Sequence, residues 1–170
     1  RELGFDLRIV PALEDLSVPA ERIADAIDDR TAAVCLSHVL FRSSYIVDPR
    51  PVIEKARAVG AVVILDGYQS AGIIPVDVTS LGVDFFVGGC LKWLCGGPGN
   101  AFLYTAPWVK ARTRPRLTGW LSRTAPFAFD IDATAVRDDG MAMMNGTPAI
   151  PAYYAALPGL EIIRTVGVDR

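Results

Sequence analysis

The hydrophobic positions change period along the chain. In "AERIADAIDD", residues 20–29, Ile23, Ala24 and Ile27 fall on one face of a helix, after a start region holding Ser17 and Pro19. The next run, "TAAVCLSHV" at 31–39, is short, β-branched and almost continuously apolar, the pattern of a strand covered on both faces in a parallel sheet. Helical spacing returns in "PRPVIEKARAVG", which opens on prolines and stops at Gly60. Buried-strand patterns follow in "AVVILD" and, after a polar turn and a short segment around "VTSLGV", in "DFFVGG". Strand, helix and strand in that order predict βαβ crossovers and an α/β fold with a mostly parallel sheet between helices.

Beyond residue 98 the pattern is less regular. "GNAFLYT" predicts a further strand and "PWVKARTR" a short helix rich in basic residues. "RPRLTGWLSRTAPFAFDIDATAV" reads as loop with strand fragments and exposed aromatics. "TPAIPAYYAALPGLEIIRTVG" has helical spacing but contains Pro148, Pro151 and Pro158, which predicts a helix broken or kinked near Pro158.

Composition bounds the function. With 170 residues, 51% of them hydrophobic, the chain can bury a core as one unit. A net charge of -2 with interleaved signs provides no basic stripe for nucleic-acid phosphates. The 3 cysteines, Cys35, Cys90 and Cys95, have no CxxC spacing and His38 is the 1 histidine, so neither a disulfide framework nor a zinc site is expected. No window approaches the roughly 18 consecutive apolar residues of a membrane span, and "RELGFDLRIV" has no signal-peptide core. A soluble, cytoplasmic protein without a membrane or nucleic-acid partner is the expectation. The opening without Met and the ending "TVGVDR" suggest a part of a longer chain.

Candidate chemistry lies in "VVILDGYQSAGIIPVDVTSLGVDFFVGGCLKWLCGGPGNAFLY", residues 62–104. Asp66 closes one apolar run and Lys92 follows the next, so both are expected at carboxyl ends of parallel strands, where open α/β sheets bind ligands. A pyridine-ring cofactor with an aldehyde para to its ring nitrogen needs such a pair. The carboxylate keeps the ring nitrogen protonated, and the lysine amine holds the aldehyde as a Schiff base. That cofactor is pyridoxal 5'-phosphate. "GGPG" is followed by no GK[ST], and there is no G-x-G-x-x-G, so a nucleotide-binding oxidoreductase loses its support.

This stretch resembles the cofactor-binding core of the class V aminotransferase superfamily, PLP-dependent enzymes of fold type I that include kynureninases, cysteine desulfurases and aminotransferases. The similarity runs from "VCLSHVLFRSSYIVD" through "LTGW" to "NGTPAIPAYYAAL". The resemblance implies that Asp66 pairs with the pyridinium nitrogen, that Gln69 bonds the ring's phenolic oxygen, and that Lys92 is the Schiff-base lysine and later the proton shuttle. It also implies that Trp120 and Thr147 reach a cofactor phosphate or substrate across a homodimer interface with shared active sites. The substrate would be an amino acid, with a kynureninase-like or aminotransferase-like reaction as the leading reading and a cysteine desulfurase-like one as an alternative. Family members are longer, so residues 1–170 are expected to be the central part of the PLP-binding large domain, without its N-terminal segment and C-terminal small domain and inactive alone.

Departures from the family pattern define a rival. Leu91 stands where kynureninases have tyrosine and desulfurases histidine, Gly89 replaces a common serine, and Leu40 and Phe41 stand where desulfurases carry asparagine. Phosphate would then be held by backbone amides or another segment, and a catalytically silent binding module on the same scaffold is the second reading. His38, Cys90 and Cys95 read as structural residues, and Arg42 as either a carboxylate partner or a solvated loop residue. Tyr68, Trp93 and Trp108 read as core aromatics ahead of pocket linings.

Overall fold

A computed structural model of the protein describes residues 4–132 and 135–169. Strands β1 (Ala33–Ser37), β2 (Val62–Asp66) and β3 (Phe85–Gly89) are parallel neighbours, and β4 (Ala101–Thr105) adds antiparallel to β3, giving the order β1-β2-β3-β4. Helices α1 (Ala20–Asp25) and α2 (Arg50–Val59) precede β1 and β2, and the short α3 (Val78–Leu81) precedes β3. α2 makes the crossover from β1 to β2. It starts just after Pro49 and stops at Gly60, whose φ of 79° is the left-handed C-terminal conformation that glycine adopts without a Cβ penalty. α3 is capped by Asp77, whose carboxylate accepts the N–H groups of Thr79 at 2.9 Å and Ser80 at 3.0 Å.

The core lies on one face of the sheet. Val34 and Leu36 of β1, Val63 and Leu65 of β2 and Phe86 of β3 are buried in one cluster with Ile23, Val52, Ile53 and Ala56 from α1 and α2. Removing each such side chain from water contributes about 1.5–3 kcal/mol before conformational entropy is counted. The opposite face differs from the expectation of strands covered on both sides. The burial of β1 alternates, with Ala33 and Cys35 exposed, because both crossover helices of the described residues lie on the other face. On β4 the same open face leaves Leu103 49% exposed.

After β4 come α4 (Pro107–Lys110), three single 3-10 turns at 120–122, 126–128 and 140–143, and α5 (Ile150–Val166). The expected strand fragments reduce to an isolated antiparallel bridge between Arg123 and Val136, and residues 133 and 134 of that segment lie outside the described residues. The expected break at Pro158 is corrected: α5 is continuous through it. The lost hydrogen bond falls on the carbonyl of Tyr154, an exposed residue, so the cost is met at the solvent side. The opposite side of α5 packs firmly, as described below. No helix of the described residues is long and apolar enough to cross a membrane.

Candidate active site

Asp66 is the last residue of β2 and its side chain alternates away from the helix-covered core, onto the open face of the sheet. One carboxylate oxygen accepts the N–H of Tyr68 at 2.8 Å, and the other lies 3.5 Å from the hydroxyl of Ser37, its register partner at the end of β1. The backbone around it is pinned on both sides. His38 donates its N–H to the Asp66 carbonyl at 2.9 Å, and Gly67 donates to the Val87 carbonyl at 2.7 Å. A strand-end carboxylate with so many fixed neighbours keeps one orientation.

β3 ends at Gly89, and Lys92 sits in the turn that follows, before the chain reverses into β4. That loop is closed by the Gly96 N–H donating to the Cys90 carbonyl at 2.7 Å and the Cys95 N–H donating to the Lys92 carbonyl at 2.9 Å. α5 clamps it from outside. A Cβ on Gly159 would lie 2.1 Å from the Cys95 carbonyl oxygen, one on Gly96 would lie 3.0 Å from the Ala156 Cβ, and one on Gly99 would lie 2.9 Å from the Ala152 Cβ. Ala152, Ala156 and Gly159 thus form a small-residue face that lets the helix backbone approach the lysine loop. The Asn100 amide, donating to the Ala152 carbonyl, fixes the register.

Asp66, Gln69 and Lys92 come together through short links between the β2 and β3 turns. The Gln69 side-chain oxygen accepts the Trp93 indole N–H at 3.4 Å. Gly72, with φ at 100°, lies against the Trp93 backbone, where a Cβ would be 2.7 Å from the carbonyl carbon. The Tyr68 ring lies over Gly89, 2.5 Å from where a Cβ would stand, and its centroid is 5.8 Å from the Lys92 amine. Phe41, on the turn after β1, places its ring 5.7 Å from the same amine. None of the ion pairs among the described residues uses Asp66 or Lys92.

Trp120 and Thr147 meet each other and not this cluster: the Trp120 indole N–H donates to the Thr147 hydroxyl at 3.1 Å. The Trp120 ring also lies 5.5 Å from Phe127, edge to face, and 6.4 Å from Phe129. Thr147 borders a cavity of 1090 Å³ between the open face of β4 and residues 136–149, and that cavity includes neither Asp66, Gln69 nor Lys92. This cavity therefore marks a different part of the molecule from the acid and the lysine.

His38 belongs to the core side. It is 7% exposed, its Nδ1 has no hydrogen-bond partner, and burial pushes its imidazole below the ordinary range, against the opposing pull of Asp48. Tyr68 and Phe41 are the residues that sequence reasoning left out of the site. The available signal for Tyr68 was Gly89, whose missing side chain makes room for the ring. Phe41 carried no comparable signal, because its approach to Lys92 depends on which strands are neighbours.

The donor set fits a pyridine-ring cofactor. Such a group asks for a carboxylate at its ring nitrogen, an amine at its aldehyde and a donor at its ring oxygen, and Asp66, Lys92 and Gln69 are side chains that could supply these. Gly89 and Leu91 add no polar group to the segment before the lysine.

Comparison with known proteins gives a consistent picture. The family model described as aminotransferase class-V matches residues 1–170. The chain is 32% identical to an uncharacterized aminotransferase, YcbU, of Bacillus subtilis (strain 168), over 98% of this chain and 43% of that protein. It is 34% identical to a kynureninase of Pseudomonas fluorescens, over 75% of this chain and 29% of the relative. Among solved structures it is similar to the cystine C-S lyase C-DES, with a TM-score of 0.75 and 26% identity over 87% of this chain and 39% of the other. A cysteine desulfurase from Thermococcus onnurineus NA1 shares the fold, with a TM-score of 0.83 at 22% identity over 99% of this chain and 41% of that one. The chain thus spans less than half the length of each of these relatives.

Proposed function

The chain belongs to the aminotransferase class-V family, with pyridoxal 5'-phosphate as cofactor, and from that premise we propose that it carries the reactive centre of an enzyme acting on an amino acid. The observation that carries this reading is the placement of the Asp66 carboxylate and the Lys92 amine at the carboxyl ends of adjacent parallel strands, tied together through Tyr68.

When bound, the cofactor supplies an electron-withdrawing ring that takes up the negative charge left as a bond to the substrate's α-carbon breaks. Lys92 would hold the cofactor through its amine, and that amine would move a proton at the substrate's α-carbon. Asp66, oriented by the Tyr68 N–H, would hold a proton on the ring nitrogen. Gln69 donates from its amide to the ring's oxygen. Trp120 and Thr147, which pair away from the lysine, serve the second active site of a homodimer. The identities to an aminotransferase and to a kynureninase support a kynureninase-like or aminotransferase-like reaction.

The test is reductive trapping. The whole protein, loaded with pyridoxal 5'-phosphate and treated with borohydride, is expected to carry the label on Lys92, and Lys92→Ala is expected to carry none. A label retained in Lys92→Ala, or placed on another lysine of the wild type, would overturn the assignment. Retention of the cofactor on Lys92 with no turnover of any amino acid would favour the silent module.

A further inference from the structure

Three turns that follow three adjacent parallel strands meet at one amine. Phe41 comes from the turn after β1, Tyr68 from the turn after β2 and Lys92 from the turn after β3, with the Lys92 amine 5.7 Å from the Phe41 centroid and 5.8 Å from that of Tyr68. A cation within about 6 Å of an aromatic centroid is attracted by the ring's quadrupole. Phe41 is 81% exposed, so it fills no place in the core, and its ring lies beside the amine. Tyr68 is seated by the Asp66 carboxylate on one side and by Gly89 on the other. Its N–H is bound by Asp66, and its ring occupies the volume that a side chain at Gly89 would take.

We propose that Phe41 and Tyr68 are positioning residues that hold the Lys92 amine between their rings whenever it is not joined to the cofactor. The proposal rests on the reading of Lys92 as the attachment residue and adds where that amine waits. An unattached lysine has several rotatable bonds and would otherwise sample much of the open sheet face. Two rings reaching it from separate strand ends limit it to one place on that face. The ring faces are the active element, so each residue tolerates exchange for another aromatic and not for an aliphatic of similar bulk.

Proton and carbon NMR of the cofactor-free whole protein, after reductive methylation of its lysines with labelled formaldehyde, tests this directly. Lys92 is assigned by its loss in Lys92→Arg, and the exposed Lys55 and Lys110 serve as references. Ring currents are expected to shift the Lys92 methyl signal upfield of both references. In Phe41→Leu and Tyr68→Leu it should move toward them, while Phe41→Tyr and Tyr68→Phe should keep the wild-type position. A wild-type Lys92 signal at the reference position would overturn the proposal, as would equal movement in the leucine and aromatic variants. Borohydride trapping on separate unmethylated samples distinguishes the two readings. A Lys92 label beside an unshifted methyl signal removes the positioning role alone, and no label on Lys92 removes the attachment reading together with the proposal.

Discussion

The Asp66–Lys92 cluster and the Trp120–Thr147 pair are built by different means. The first stands on adjacent strands whose register is set by a hydrogen-bonded ladder, and its turns are locked by glycines against which neighbouring backbone or rings lie closer than a Cβ would allow. The second is a single 3.1 Å hydrogen bond between two loops, beside Phe127 and Phe129, which are 72% and 75% exposed. One is held by backbone hydrogen bonds and close backbone approaches. The other leaves its aromatic side chains open to water.

Breaking the rigid half should cost the most. Gly159→Ala drives a Cβ into the Cys95 carbonyl, a backbone atom that cannot rotate away, so α5 must lift off the lysine loop. A loss of about 1–3 kcal/mol in unfolding free energy is expected, with slower reductive trapping at Lys92. Denaturant unfolding and peptide mapping would check both, and an unchanged midpoint would mean that α5 does not clamp the loop.

Breaking the loop pair should leave stability nearly intact. Trp120→Ala removes one hydrogen bond and the contacts with Phe127 and Phe129, all at a site open to water, so its cost to stability is expected to fall below that of Gly159→Ala. Its larger effect is expected on cofactor affinity, and only in a dimer. Equilibrium binding measured above and below the dissociation concentration would decide this, and an equal loss in the monomer would contradict action across subunits.

The smallest effect concerns the core side of the strand that precedes the site. Burial depresses the His38 pKa from 6.5, so the folded state favours the neutral ring more than the unfolded chain does. Its contribution is therefore present above pH 6.5 and is lost as pH falls below that value toward the lower folded-state pKa. Wild-type stability should decline across that acid window, and His38→Gln should flatten the decline. Parallel slopes for the two proteins would remove His38 as the cause.

Much of the rigid half could be read from local pattern. The α2 helix with its stop at Gly60, the strands carrying Leu65 and Phe86, and the positions of Asp66 and Lys92 at the ends of apolar runs all follow from periodicity and turn residues. The one-sided burial of β1 did not, because an almost continuous apolar run looks the same whether one face is covered or two. Nor did the continuity of α5, because the effect of Pro158 depends on which side of the helix faces water.

The amino-acid order by itself determined the α/β class, the order of the elements and the placement of an acid and a lysine after successive apolar strands, since these depend on spacing within single segments. Tertiary structure decided the company they keep. The Tyr68 ring above Gly89, the Phe41 ring beside the Lys92 amine and the α5 face against Cys95 join residues that are distant in sequence. Their meeting is set by strand order and by the space that absent side chains leave, and neither is written in any local period.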